Sequence, residues 1–163
     1  MRKVCAVTIA LLALAPISAN AATDPYTAIS QVRTAFSRVQ SVQLVEKFPS
    51  GAVATIQLSP SAPARVATAG VSKNQLLLDY AAHPGGGPSS NVRDQFTVTA
   101  LGRKSLYGMS VDGYRLIDQS GAVETLWVNA KALPVATHVE AFGESVDVLY
   151  GDYDNPTLFA TKP

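Results

Sequence analysis

The chain has 163 residues, with 13 Lys and Arg residues against 12 Asp and Glu residues, so its formal net charge is +1. This balance lacks the basic face or stripe that nucleic-acid-binding proteins present. The single Cys excludes an intrachain disulfide and a thiolate zinc site. The length fits one domain, or at most two very small ones.

The first 21 residues have the layout of a secretory signal peptide. Arg2 and Lys3 form a short positive segment, and an apolar run follows from Val4 to Ala15. Ala19-Asn20-Ala21 then places small residues at the −3 and −1 positions of a cleavage site. The apolar run is too short to cross a bilayer core of about 30 Å. We therefore expect a cleaved signal peptide over 1–21 and one mature domain over 22–163, in the periplasm.

The mature domain is expected to carry no lipid anchor. Cys5 lies at the start of the apolar run and not at the cleavage point, so it is not placed to be lipidated. No later segment approaches the 18 or so apolar residues of a transmembrane helix.

The domain begins with a predicted helix from Pro25 to about Gln40. Asp24 is a favourable N-cap residue, and Pro25 suits the first helical position. Apolar residues then recur at helical spacing on one face, which predicts packing against a sheet. These residues are Tyr26, Ile29, Val32, Phe36 and Val39.

Beyond Ser41 the apolar period changes from about 3.6 to two, which predicts strands. One strand begins at Val42, and a second covers Ala52 to Leu58 after a Ser-Gly turn. Arg65 to Ala69 and Gln75 to Tyr80 are predicted as two more short strands, the latter buried on both faces. His83 to Asn91 reads HPGGGPSSN, which predicts a mobile loop that could serve as a lid.

The second half of the chain predicts a succession of strands joined by tight turns. This pattern is typical of an antiparallel meander, and with the N-terminal helix it defines an α+β domain. The predicted strands are Gln95–Leu101, Tyr107–Ile117, Val123–Asn129, Val135–Phe142 and Ser145–Tyr153.

Little in the sequence suggests catalysis or metal binding. His83 lies in the Gly/Pro segment, and His138 lies in a strand beside Glu140 on what we expect to be a solvated face. The G-x-S-x-G nucleophile elbow is absent, and the Asp152–Asn155 segment lacks the Gly and Glu of a calcium loop. We expect a protein that is not an enzyme and has no cofactor and no metal.

Apolar side chains are the remaining candidates for function. A thin sheet with one helix either packs them into an ordinary core or lines an apolar cleft with them, and periodicity does not separate these alternatives. The candidate cleft residues are Phe48, Leu58, Met109, Tyr114 and Trp127.

Several segments resemble small periplasmic proteins of the lipoprotein-carrier (LolA-like) superfamily. The similar segments are Glu124–Asn129, Ala132–Val135 and Gly151–Pro156, with weaker likeness at Leu106–Tyr114 and Ser59–Arg65. Ala132 departs from the pattern, because it stands where the family's turn usually has Gly. The resemblance implies a curved, unclosed β half-barrel wrapped over a helix, with a hydrophobic cavity for acyl chains.

The sequence therefore favours a noncatalytic carrier or sensor whose partners are a lipid or the acyl chains of a lipoprotein. The alternative is an envelope protein-interaction or regulatory module with a filled core and no ligand. Neither function involves nucleic acid or a transmembrane anchor.

We predict that the exported protein begins at Ala22. Mass spectrometry of the protein recovered from the periplasm should give the mass of residues 22–163. A membrane-bound product that retains Met1 would contradict this prediction.

Overall fold

A computed structural model of the chain describes residues 23–60, 67–69, 75–87, 91–141 and 143–155. The predicted signal peptide and residues 61–66 lie outside the described residues. The helices are α1 (Pro25–Phe36), α2 (Gln75–Ala82) and the one-turn α3 (Val92–Gln95). The strands are β1 (Val42–Lys47), β2 (Val53–Leu58), β3 (Ala67–Ala69), β4 (Phe96–Leu106), β5 (Met109–Asp118), β6 (Val123–Val128), β7 (Pro134–Ala141) and β8 (Glu144–Gly151).

The strands form one sheet of eight, in the order β3-β2-β1-β8-β7-β6-β5-β4. Every neighbouring pair is antiparallel, and strands β4 to β8 follow one another as a meander. The pairing of β1 with β8 joins the two halves of the chain, whereas β3 and β4 remain as edges, so the sheet does not close. The predicted α+β class and the unclosed antiparallel sheet with a helix packed on it are confirmed.

Helix α1 begins where the sequence predicts and ends earlier. The Asp24 carboxylate accepts a hydrogen bond of 3.1 Å from the Thr27 amide, and Pro25 occupies the first turn. The helix ends at Phe36 instead of Gln40. The Gln40 amide instead donates to the Asp154 carboxylate at 2.7 Å, which directs the chain into β1.

The prediction of a strand over Gln75–Tyr80 is wrong, because this segment forms helix α2. A short apolar run does not distinguish a buried strand from a buried helix by periodicity, and its Leu and Ala residues favour a helix. Leu77 and Ala81, four residues apart, are both buried against the sheet.

The strand alternation assigns each residue to one of two sheet surfaces. In β1 the buried residues are Val42, Leu44 and Glu46, and their cross-strand partners in β2 and β8 are buried as well. We call this surface, against which the helices pack, the helix-facing side. The opposite surface, which carries the alternate residues of each strand, such as Gln43 and Val45 of β1, is called the outer face.

Ala132 occupies the turn between β6 and β7 with a φ of 58°. The resemblance expects Gly at this position, and the left-handed backbone explains why. An L-residue in this conformation costs roughly 1–2 kcal/mol.

Trp127 lies on the outer face and covers Gly113 of the neighbouring strand. The two residues are directly paired in register, and a Cβ atom added at Gly113 would lie 2.2 Å from Cζ3 of Trp127. The Lys104 ammonium, which reaches across β5 from β4, lies 3.4 Å from the centroid of the Trp127 ring. The absence of a side chain at residue 113 therefore makes room for the indole.

We predict that Gly113→Ala lowers the free energy of unfolding by about 1–3 kcal/mol, because the new methyl group overlaps the Trp127 ring. Gly151→Ala is the matched control, since Gly151 is also in a strand and no atom lies within 4 Å of its added Cβ. Urea unfolding of both variants measures the difference. Equal stabilities would contradict the close contact.

Candidate functional site

The candidate site is the layer between the helices and the helix-facing side of the sheet. Two apolar clusters occupy this layer. One cluster includes Phe36, Leu44, Ile56, Leu77 and Tyr150. The other cluster includes Ile29, Val32, Phe96, Leu116 and Leu126. Helix α1 contributes to both clusters, so it holds the two parts of the layer together.

A buried polar network links α1, β6 and the segment after α2. The Gly85 amide donates to Oε2 of Glu124 at 3.1 Å, and the Gly85 carbonyl accepts from Nε of Arg33. Nη2 of Arg33 donates to Oε1 of Gln95 at 2.6 Å, and the Thr137 hydroxyl donates to Glu124 at 3.3 Å. The network thereby gives both buried ionisable side chains, Arg33 and Glu124, hydrogen-bond partners.

This network shows that the first part of the predicted loop, residues 83–87, is packed, whereas residues 88–90 lie outside the described residues. Pro84 and Gly85 are buried, and Gly85 is hydrogen-bonded on both sides of its backbone. A Cβ atom at Gly85 would lie 2.8 Å from Cγ2 of Ile29, and one at Gly86 would lie 2.6 Å from Nη2 of Arg33. Both glycines also have positive φ. Residues 83–87 thus form a packed strap, and their glycines permit the close approach.

The strap also influences the pKa of the Glu124 carboxyl. Burial raises its pKa to about 7, while the Gly85 amide, the Thr137 hydroxyl and the Arg33 charge each act to lower the pKa. These partners offset only part of the cost of removing the carboxyl from water.

Glu46 is a second buried carboxyl on the helix-facing side. Its side chain is fully buried, and within the described part of the chain neither carboxyl oxygen has a hydrogen-bond partner. Burial raises its pKa to about 7. Glu46 is not among the residues predicted from the sequence, although it continues the alternation of Val42 and Leu44.

The five predicted cleft residues do not line one common cleft. Leu58 is buried in the first cluster and Phe48 packs against that cluster, whereas Tyr114 packs against the second. Met109 is exposed at the start of β5. Trp127 is half-buried on the outer face, on the opposite side of β6 from Leu126. Their role in ligand binding stays a prediction.

Trp127 also borders a depression of about 300 Å³ on the outer face. Ala136 and Leu149 contribute apolar surface to it, whereas Lys47 and Lys104 contribute charge. This mixture differs from the apolar layer under the helices.

The histidines lie outside the apolar layer. His83 is exposed. On the outer face, Nδ1 of His138 lies 2.7 Å from Oδ1 of Asp147, and Nε2 lies 3.1 Å from Oε1 of Glu140. Partial burial lowers the pKa of His138. The hydrogen bonds and charges of the two carboxylates raise the pKa by more than burial lowers it, so the net shift is upward. Among the described residues, no cluster of three or more potential metal ligands occurs.

Comparisons with known proteins identify the fold. The chain is similar to the lipoprotein LppX of Mycobacterium tuberculosis, with 9% identity and a TM-score of 0.58 over 80% of this chain and 95% of that one. It is also similar to LprF of Mycobacterium bovis, with 13% identity and a TM-score of 0.52 over 85% and 95% of the two chains. A LolA-superfamily protein of Nitrosomonas europaea aligns with 13% identity over 82% and 97%, at a TM-score of 0.29.

The two alignments with TM-scores above 0.5 show that the chain shares the fold of LppX and LprF, which agrees with the predicted unclosed antiparallel sheet with a helix packed on it. At these identities the likeness extends to the fold alone. No family model matches the sequence, and no curated protein matches it either. None of the helices in the described residues has the length and apolar character needed to cross a membrane.

We predict that Glu46 makes the folded protein less stable as the pH rises from about 4.5 to about 7. The pKa of Glu46 is about 7 in the folded state against 4.5 for the unfolded model value. Its contribution to stability is therefore full below pH 4.5 and is lost as the pH rises through 7. This shift corresponds to about 3 kcal/mol.

Urea unfolding at several pH values should show a smaller loss of stability over this range for Glu46→Gln than for the wild type. The matched control is Glu144→Gln, because Glu144 is exposed. Identical pH profiles for the wild type and Glu46→Gln would contradict the prediction.

Proposed function

We propose that this protein binds an acyl chain of a lipid or lipoprotein in the layer between the helices and the helix-facing side of the sheet, without catalysis. The observation that carries this proposal is the apolar character of that side from β2 to β4. Eight strands spaced by about 4.8 Å span roughly 34 Å. Helix α1, with 12 residues, is only about 18 Å long.

Short helices that cover only part of a broad apolar surface suit a layer that opens to admit an acyl chain. Displacing α2, which has eight residues, would expose apolar surface of the first cluster, and an acyl chain would cover that surface again. The resemblance to lipoprotein carriers supports this arrangement, because it implies a hydrophobic cavity at the same place in the fold.

The surroundings of the histidines support a noncatalytic role. Two exposed carboxylates hold His138 on the outer face, on the opposite side of the sheet from the apolar layer. The proposed location is the cell envelope, reached by export through the signal peptide and without lipidation.

We predict that a fatty acid carrying a photoactivatable diazirine on its chain labels the helix-facing side of the wild-type protein. Mass spectrometry of the digested product should locate the label on residues such as Leu44, Ile56 and Tyr150, and an excess of unlabelled fatty acid should prevent the reaction. The fluorescence of Trp127 should stay unchanged, because the only Trp lies on the outer face.

Two results would contradict this proposal. Labelling confined to the depression beside Trp127, with a change in its fluorescence, would place the ligand on the outer face. The absence of saturable labelling, together with native mass spectra free of lipid, would remove the carrier function.

The alternative is a protein-interaction module. Tyr107 and Met109 favour it, because they are 66% and 43% exposed around the turn between β4 and β5. In this alternative the native mass spectrum would show a lipid-free protein in a stoichiometric complex with another envelope protein. Replacing both residues with Ser would dissociate that complex.

A further inference from the structure

Glu46 is placed where it could meet a ligand entering the apolar layer. It precedes Lys47, the last residue of β1, and lies close to the turn into β2. Its cross-strand neighbours on the helix-facing side are Ala54 and Val148, and both are buried. The carboxyl therefore stands near one end of an otherwise apolar strand surface.

The missing partner of this carboxyl needs a physical explanation. A buried polar group without a hydrogen bond typically costs about 1–3 kcal/mol, and buried groups in folded proteins are nearly always paired with protein, water or a ligand. Glu124, on the same side of the sheet, receives hydrogen bonds from Gly85 and Thr137. The described residues thus provide hydrogen-bond partners for Glu124 and none for Glu46.

The surroundings of Glu46 define the chemistry of the missing partner. Burial alone accounts for the rise of its pKa to about 7, so near neutral pH a large share of the carboxyl is the neutral acid, which donates one hydrogen bond. A cationic partner would bring a second charge into an apolar layer, where desolvation opposes it. A neutral carbonyl oxygen accepts the hydrogen bond without that cost.

We infer that Glu46 binds the polar head of the acyl ligand, with its protonated carboxyl donating a hydrogen bond to the ligand's ester or amide carbonyl oxygen. This inference rests on the proposed function, and it specifies an acyl ester or amide as the ligand class instead of a pure hydrocarbon. The chain of the ligand then runs from Glu46 along the apolar side chains beginning at Leu44.

The test compares two probes with equal numbers of carbon atoms, methyl dodecanoate and tridecane, in competition with the photoactivatable fatty acid. In Glu46→Leu the preference for the ester over the alkane should fall about 5- to 10-fold relative to the wild type, which corresponds to the loss of one hydrogen bond. Glu46→Gln keeps a donor and should retain the preference within about 3-fold. Asp147→Leu is the matched control, because this exposed carboxylate lies on the outer face of the neighbouring strand, and it should leave the preference unchanged.

A second measurement uses the wild-type protein alone. The carbonyl ¹³C resonance of bound methyl [1-¹³C]dodecanoate should lie downfield of its position in alkane solvent, because the carbonyl accepts a hydrogen bond. This readout remains valid if Glu46→Leu fails to fold.

The possible failures are distinguishable. If neither probe displaces the fatty acid from the wild type and no acyl probe binds, the proposed function fails. If both probes bind with a preference that Glu46→Leu does not alter, or the carbonyl resonance matches the alkane value, then Glu46 is paired with water at most. In that case this inference is overturned while the proposed function stands.

Discussion

The Arg33–Gly85–Glu124 network is the interaction on which the arrangement of the helices over the sheet depends. It joins α1 to β6 through the backbone of the strap at residues 83–87. The side chains of Arg33 and Glu124 can be buried in the apolar layer because hydrogen bonds offset part of the cost of their desolvation. Removing Arg33 would take away a charge that lowers the pKa of the buried Glu124 carboxyl, and removing Glu124 would take away an acceptor of the Gly85 amide. The strap also leads from α2 towards α3, and it is thereby fixed against the sheet.

The two carboxyls of the helix-facing side represent two different states of a buried acid. Glu124 is built into the fold by amide, hydroxyl and guanidinium groups, and we regard it as structural. The cross-strand neighbours of Glu46 are Ala54 and Val148, and its carboxyl oxygens make no hydrogen bond to any described residue. This contrast, and not burial alone, makes Glu46 the better candidate for contact with a ligand.

The two sheet surfaces differ in what covers them. The helix-facing side is covered by helices and packed with apolar side chains, whereas the outer face carries Trp127, His138 and their charged neighbours. The Trp127 ring fills the space left by Gly113 and lies beneath Lys104. The single Trp therefore reports on the outer face, and its fluorescence is a control for binding under the helices.

The sequence by itself determined the class of fold and most of its elements. Asp24 and Pro25 set the start of α1, alternation located the strands from β4 to β8, and residues such as Asp118 and Gly121 marked the turns. These features are predictable because they depend on neighbours a few residues away. The resemblance to lipoprotein carriers added the unclosed sheet with a helix packed on it, which the structure confirms.

Only the tertiary structure decided the nature of α2, the packing of the strap and the setting of the buried carboxyls. The apolar run in α2 suits either a strand or a helix until a surface is present to cover. Gly85 meets Arg33 across 52 residues and Glu124 across 39, so no local pattern reveals that a Gly/Pro-rich segment is buried. Alternation placed Glu46 beside Val42 and Leu44, but whether its carboxyl has a partner depends on strands and helices that approach from distant parts of the chain.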